Sequence, residues 1–395
     1  MDHKQQQAGK TNDLTRRDLM RGGAAAAAGL ATGLGVTGCK TTETAETAKN
    51  AETAEKARSY NSEMKYRPLG KTGLSISCVC LGGHWKRVDQ MVPGLFKGND
   101  WLSADLDSEG FKQNRRDVVT RCIEHGINYI DACTKQEVLM YSEALRGRRE
   151  AMYLGFSWYQ EEMRSLAGQL QEARKKGKPK PAGWITEQLM AALDKGMKEA
   201  RLDYVDLWRI TMHEQSGRHT DAEVDEMMQA LEKARQQGKC RLCGFSSHDR
   251  AHIKKMIETY PEVVQVVVTP YTAKSKLVTD ETGLWAAMKQ HGVGWFGIKP
   301  FAGTSLFKGD SSPDSPTREQ DDRLARMAIR YILCNPAITA PIPGMINTHQ
   351  VDNVAKAIQE PGLDETEAKE LETAMDEAWA NLPPDYQWLK NWEYV

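Results

Sequence analysis

The sequence predicts an α/β fold, specifically a (β/α)8 TIM barrel, and three observations predict it. Eight short apolar runs recur along the chain, at residues 75–81, 129–131, 151–156, 204–210, 241–245, 263–268, 294–298 and 338–341. Amphipathic stretches such as 117–125, 186–200, 221–237 and 321–333 lie between them, and strands alternating with helices build a parallel sheet. No Gly-x-Gly-x-x-Gly turn follows the first run, which disfavours an open, doubly wound dinucleotide fold.

Taken in order, the chain opens with an address. Thr15-Arg16-Arg17-Asp18-Leu19-Met20 sets paired arginines ahead of a mildly apolar, Ala- and Gly-rich run, 22–37. That pattern resembles a twin-arginine export signal. The run ends in Val36-Thr37-Gly38-Cys39, which resembles the lipobox of bacterial lipoproteins, with Cys39 as the lipidated residue. Two or more acyl chains give stable anchoring, at about 0.8 kcal/mol per buried CH2. Residues 1–39 are therefore expected to be a signal segment, and the protein to be held by lipid in the periplasm or cell envelope. Residues 40–63 repeat Thr-Ala-Glu and Ala-Glu-Lys patterns without bulky apolar residues, and read as a tether.

The barrel is expected over 64–361, with a C-terminal helix and tail over 362–395. Thr220-Asp221-Ala222-Glu223 opens one helix with a capping box, and Gly238 closes it. The connections 82–112, with Trp85, Phe96, Trp101 and Phe111, and 157–184 are long and should rise over the C-terminal rim, where barrels bind ligands. A net charge of −1 over 395 residues provides no basic field for nucleic acid. Eight cysteines are too sparse for a disulfide scaffold. Cys240 and Cys243 fall in a strand, where positions i and i+3 face opposite sides, so a structural role is expected and no metal site.

The residues now reached carry a resemblance. Tyr66 to Ser77 (YRPLGKTGLSIS) looks like the opening hairpin and first strand of aldo-keto reductases. Gly126-Ile127-Asn128-Tyr129-Ile130-Asp131 resembles the second strand, Leu202 to Leu207 the fourth, Gly238 to Ser247 the fifth, Lys299 to Gly303 the seventh and Pro343-Gly344 the eighth. The matches run in family order over roughly 64–360 and imply the same barrel fold. They also imply reduction or oxidation of a small polar, possibly sugar-like, carbonyl or alcohol with NAD or NADP.

Carbonyl reduction needs a hydride donor and an acid for the developing alkoxide. The resemblance implies a tyrosine as acid, supported by a lysine, an aspartate and a histidine. Only the aspartate is kept, as Asp131. The tyrosine slot falls near Gln136, the lysine slot near Ser157 and the histidine slot at Thr211. Neighbours are the candidates for a rebuilt set: Lys135 beside the tyrosine slot, His213 just beyond the fourth strand, and His84 at the end of the first. Tyr141 reads as a packing residue on a helix face. On the cofactor side the resemblance implies Ser246, Ser247 and Gln265 at the nicotinamide carboxamide, with Ser247 where the family has asparagine. Lys299, Gly344, Gln350 and Asn353 follow along the dinucleotide. The stretch 344–353 holds no Arg or Lys for a 2′-phosphate. The expectation is an exported oxidoreductase with a tightly bound nicotinamide cofactor and a small-molecule substrate. The alternative is a catalytically altered barrel that binds a small ligand or performs non-redox chemistry.

Overall fold

The computed structural model describes residues 57–98, 100–211, 218–275 and 283–394. His213, Cys39 and the signal segment fall outside the described residues, as does most of the expected tether. A short hairpin, β1 (Tyr66–Pro68) against β2 (Ser75–Ser77), precedes the barrel. Eight parallel strands follow in sequential order: β3 (Leu81–Gly82), β4 (Tyr129–Ala132), β5 (Tyr153–Phe156), β6 (Val205–Thr211), β7 (Cys240–Ser246), β8 (Val266–Pro270), β9 (Gly294–Ile298) and β10 (Ala340–Pro341). The ring closes where the Cys80 and Gly82 amides donate to Pro341 and Pro343. The first expected run, 75–81, therefore splits: its start joins the hairpin, and only its end enters the barrel.

Ten helices are described around it. They are α1 (Glu109–Glu124), α2 (Lys135–Ala144), α3 (Leu166–Lys175), α4 (Trp184–Ala200), α5 (Asp221–Gln236), α6 (Arg250–Thr259), α7 (Leu284–His291), α8 (Arg318–Leu333), α9 (Thr348–Gln359) and α10 (Glu365–Ala380). The expected long loop 157–184 is instead mostly helical, a π-helical turn at Gln160–Ser165 running into α3. Leu166 and Leu170 bury one face of it.

Strand alternation sorts the core. Leu207, Leu242, Val266, Val268, Phe296 and Tyr129 fill the barrel interior, while Trp208, Ile210, Cys243 and Phe245 face the helices. Cys240 and Cys243 depart from simple alternation. Both are buried on the helix side with sulfurs 3.9 Å apart, and Cys243 donates to the Leu231 carbonyl of α5. The packed chain begins before the expected boundary at residue 64. Arg58 and Ser59 bond to the Met152 and Ala151 carbonyls, and Asn61 to Glu124, so this segment docks on the base of the barrel, opposite the rim. At the other end, a 3-10 segment (Pro384–Tyr394) crosses the rim, and Tyr386 and Trp388 line the cavity beneath it.

Candidate active site

A cavity of about 1340 Å³ opens at the C-terminal rim. It exceeds the roughly 300–1,000 Å³ of a typical small-ligand pocket, leaving room for a dinucleotide and a second small molecule.

Asp131 sits on its floor, near the end of β4. Position 131 faces inward with Tyr129, and the Tyr129 hydroxyl donates to its Oδ1 at 3.3 Å. Gly155 across the ladder makes room, since a Cβ there would lie 2.0 Å from the Tyr129 oxygen and 3.0 Å from Asp131 Oδ1. Arg209, from β6, grips both carboxylate oxygens: Nε donates to Oδ1 at 2.8 Å and Nη2 to Oδ2. Burial works against the guanidinium charge, but Asp131 overrides it and holds the Arg209 pKa above its ordinary value. A cation thus stands beside the aspartate.

Ser157 and Thr211, where the resemblance expects the lysine and the histidine, are both buried hydroxyls. Ser157 donates to Glu162 at 2.6 Å and lies 3.2 Å from the Thr211 hydroxyl, while Trp208 Nε1 donates to the other Glu162 oxygen at 2.8 Å. Burial raises the Glu162 carboxyl despite these bonds. Gln136, in the tyrosine slot, donates to the Leu102 carbonyl and accepts from Gln160. Tyr141 is buried behind the wall, with its hydroxyl donating to the Gly82 carbonyl at 2.6 Å.

His84 lines the cavity, its backbone in the left-handed region at φ 55°. Such a conformation in a non-glycine residue costs energy and collects at functional sites. What holds it is Glu137, a fully buried carboxylate. Oε1 accepts the His84 amide at 2.6 Å and lies 2.8 Å from Nδ1; Oε2 accepts the Cys133 and Thr134 amides at 2.6 and 3.1 Å. Burial pushes the Glu137 carboxyl up, but the His84 charge and these donors outweigh it, leaving its pKa below the ordinary value. An ionised carboxylate on Nδ1 fixes the proton there, so Nε2 is the nitrogen left for chemistry. Gly83 makes the arrangement possible, because a Cβ there would lie 2.1 Å from the Glu137 carboxyl carbon. Gly82 pairs with Asp131 across the ladder. His84 follows two residues later, past the end of β3.

The remaining expected residues separate into two groups. Ser246, Lys299, Gly344, Gln350 and Asn353 line the same cavity. Gln350 Oε1 accepts the Ile346 amide and Asn353 Oδ1 accepts from Arg326, so both are partly occupied by the fold. Lys135, Ser247 and Gln265 do not line it. Lys135 is the first residue of α2 and points outward to Glu199 at 2.6 Å. Ser247 is buried, its hydroxyl accepting the Asp249 amide. Gln265 sits at the entry to β8, where its side-chain oxygen accepts the Cys243 amide.

Four residues that sequence reasoning missed complete the picture. Glu137 had a signal, being three residues after the N-cap Thr134 in a capping box. Arg209 also had one, sharing its inward face with Leu207 at i−2. Arg87 and Arg318 had none. Arg87 lines the cavity and donates to the Gly309 carbonyl at 2.7 Å and to the Ser311 hydroxyl at 3.1 Å, tying the β3 and β9 connections together. Arg318 reaches the wall from the start of α8, near Asp322, which pairs with His349 at 2.6 Å.

A nicotinamide dinucleotide suits this lining. Ser246 and Ile298 stand at strand ends, and the amino end of α9, capped by Asn347, offers amides for phosphate. Arg87, Lys299 and Arg318 add positive charge.

Comparison with known proteins agrees with the architecture. The chain is 25% identical over 210 residues to L-galactose dehydrogenase of Arabidopsis thaliana, covering 48% of this chain and 65% of that protein. It is 22% identical to an uncharacterized oxidoreductase of Bacillus subtilis (strain 168), over 82% of this chain and all of the relative. An aldo-keto reductase from Bacillus halodurans, solved in a holo form, superposes with a TM-score of 0.52 at 19% identity, over 82% of this chain and 99% of that one. The aldo/keto reductase family model matches residues 108–376, and with the closed eight-stranded barrel this places the chain in the aldo/keto reductase family.

Proposed function

We propose that this family member transfers a hydride between a tightly held nicotinamide dinucleotide and a small polar carbonyl or alcohol, with His84 in place of the tyrosine acid. The His84–Glu137 pair on the cavity wall carries this reading. When bound, the nicotinamide supplies or accepts the hydride.

The protein's own residues supply the rest. In the reducing direction, imidazolium His84 donates its Nε2 proton to the substrate oxygen, and ionised Glu137 stabilises the charged ring before transfer. In the oxidising direction, neutral His84 accepts the alcohol proton at the same nitrogen. Arg209, held by Asp131, presents fixed positive charge where the oxygen becomes negative, the role of a preorganised electrostatic site. Arg87, joining two rim connections, favours retention of the dinucleotide.

The reading includes export by the twin-arginine route and lipid anchoring at Cys39. A retained cofactor accords with work where free nicotinamide is scarce. Residues 57–63 dock on the barrel base, so a tether joined there attaches at the end opposite the rim. The second reading, a ligand-binding or non-redox barrel, is favoured by Gln136, Ser157 and Thr211 in three catalytic slots.

Denaturing the purified protein and assaying the supernatant separates the two. Release of about one nicotinamide per chain, together with turnover lost in His84→Gln, is expected. Absence of released cofactor and of any binding of added NAD(H) or NADP(H) leaves the second reading.

A further inference from the structure

The π-helical turn Gln160–Ser165 follows β5, and such turns are rare and collect at functional sites. Its inward polar residue is Glu162, 1% exposed, a carboxyl that the hydride-transfer chemistry leaves unused. Ser157, just after β5, donates to its Oε2 at 2.6 Å, and Trp208 Nε1, from β6, donates to its Oε1 at 2.8 Å. Among the described residues no cation lies within ion-pair distance of it, and Arg209 acts on it from further off. Glu137 provides the contrast. It is as deeply buried, but meets three backbone amides and an imidazole, and these keep it ionised. A carboxyl without that compensation is pushed by burial towards its uncharged form, which carries a proton.

From Glu162 a line of hydroxyls leads to the cavity. Ser157 Oγ lies 3.2 Å from Thr211 Oγ1, where either atom can donate, and Thr211 lines the cavity at the end of β6. Arg209 Nη1 reaches the Thr211 oxygen at 3.5 Å, so the line ends beside the Asp131–Arg209 pair. Both links fall within the reach for proton transfer, about 2.6–3.2 Å. Trp208 occupies Oε1, so the proton of the neutral carboxyl sits on Oε2. Hydrogens then point from Glu162 to Ser157, from Ser157 to Thr211 and from Thr211 into the cavity. With Glu162 ionised all of them reverse, and Thr211 accepts from the cavity. The two arrangements differ by one proton.

We propose that Glu162 is a proton reservoir for the cavity, reached through Ser157 and Thr211. An oxygen lodged beside Arg209 that gains negative charge takes the Thr211 hydrogen. Thr211 takes that of Ser157, and Ser157 takes that of Glu162, which is left as carboxylate. Each O–H bond broken along the line is matched by one formed, and nothing is oxidised or reduced. The reverse passage reloads Glu162 when a cavity oxygen gives up its proton. This rests on the hydride-transfer reading for the source of the charge, where the oxygen is the reacting one and Glu162 backs His84 as its second proton source. The reservoir itself is measurable without turnover.

Infrared spectra of the purified full chain at neutral pH test this. A protonated carboxyl shows a C=O band apart from the carboxylate bands, and that band shifts when its O–H becomes O–D. Wild type should show such a band, missing in Glu162→Gln, and it should shift promptly on transfer to D2O. In Ser157→Ala and in Thr211→Val the shift should be at least about tenfold slower, because exchange then waits for local opening. Trp208→Phe, which removes only the bond to Oε1, should leave it fast. Damage to the fold would speed exchange, so slowing reports the hydroxyl line. Adding Glu162→Gln to His84→Gln should lower the residual turnover of D-glyceraldehyde by about a further tenfold. Absence of the Glu162 band, exchange as fast in both hydroxyl variants as in wild type, or residual turnover unchanged by the added Glu162→Gln overturns the proposal. Hydroxyl-dependent exchange in a protein with no turnover keeps the reservoir and removes the hydride-transfer reading; turnover with fast exchange in both hydroxyl variants does the reverse.

Discussion

Two buried aspartates, Asp131 and Asp206, meet guanidinium groups in this barrel, and they differ in what is left open. Asp206, at the start of β6, is 1% exposed and surrounded: Arg149 approaches to 2.6 Å, Arg58 and Arg241 to 3.2 Å, and the Leu154 amide donates at 2.9 Å. These partners fasten the N-terminal segment, β5 and β7 together at the base. Asp131 has one guanidinium and one phenol, and its remaining side faces the cavity. The same strand serves both sites, with Asp206 on its outer face and Arg209 inward, three residues higher. Saturation marks a joint of the fold. A carboxylate with fewer donors beside an open cavity marks chemistry.

Substitutions can break or sharpen that contrast. The largest effect should come from Asp206→Ala, which strands three arginines and should cost about 3–5 kcal/mol of unfolding free energy in urea titration. Turnover per folded molecule should be unchanged; a fall in turnover with stability intact would erase the distinction between base and rim. His84→Gln comes next, lowering turnover about 100-fold, or 2.7 kcal/mol of barrier, with little change in unfolding midpoint. Arg209→Lys should reduce kcat/KM about tenfold, because an ammonium cannot hold both Asp131 oxygens. If Arg209→Lys lowered only stability, the Asp131 pair would be a joint like that of Asp206.

The smallest effect is in pH dependence. The Glu137 carboxyl titrates below its ordinary value of 4.5 in the folded protein. Its contribution to stability is therefore fully present above pH 4.5 and is lost as pH falls through the lower, folded value. Glu137→Gln should flatten the fall in urea midpoint over that acidic range. A curve parallel to wild type would show that Glu137 is not ionised against His84.

Much of the barrel was legible in the sequence because periodicity is local: apolar runs give strands, and capping boxes give helix starts. The π-helical turn and α3 were read as loop because Arg174 to Lys180 is polar and proline-containing, whereas Leu166 and Leu170 provide the buried face. Asp131 and His84 could be singled out from strand ends. Lys135 and Gln265 were misplaced because a residue's slot along a strand or helix does not say which way its side chain turns. The partners that give the site its character, residue 84 with 137 and 131 with 209, come from different strands and loops. Barrel closure brings them together, and only Glu137 and Arg209 left a local trace.

The most direct test of His84 as the proton-transferring group is single-turnover oxidation of bound reduced nicotinamide by a small sugar aldehyde, in wild type and in His84→Ala, with and without added imidazole. The variant should be about 100-fold slower and recover part of that rate with imidazole. Equal rates in the two proteins, with no response to imidazole, would contradict it.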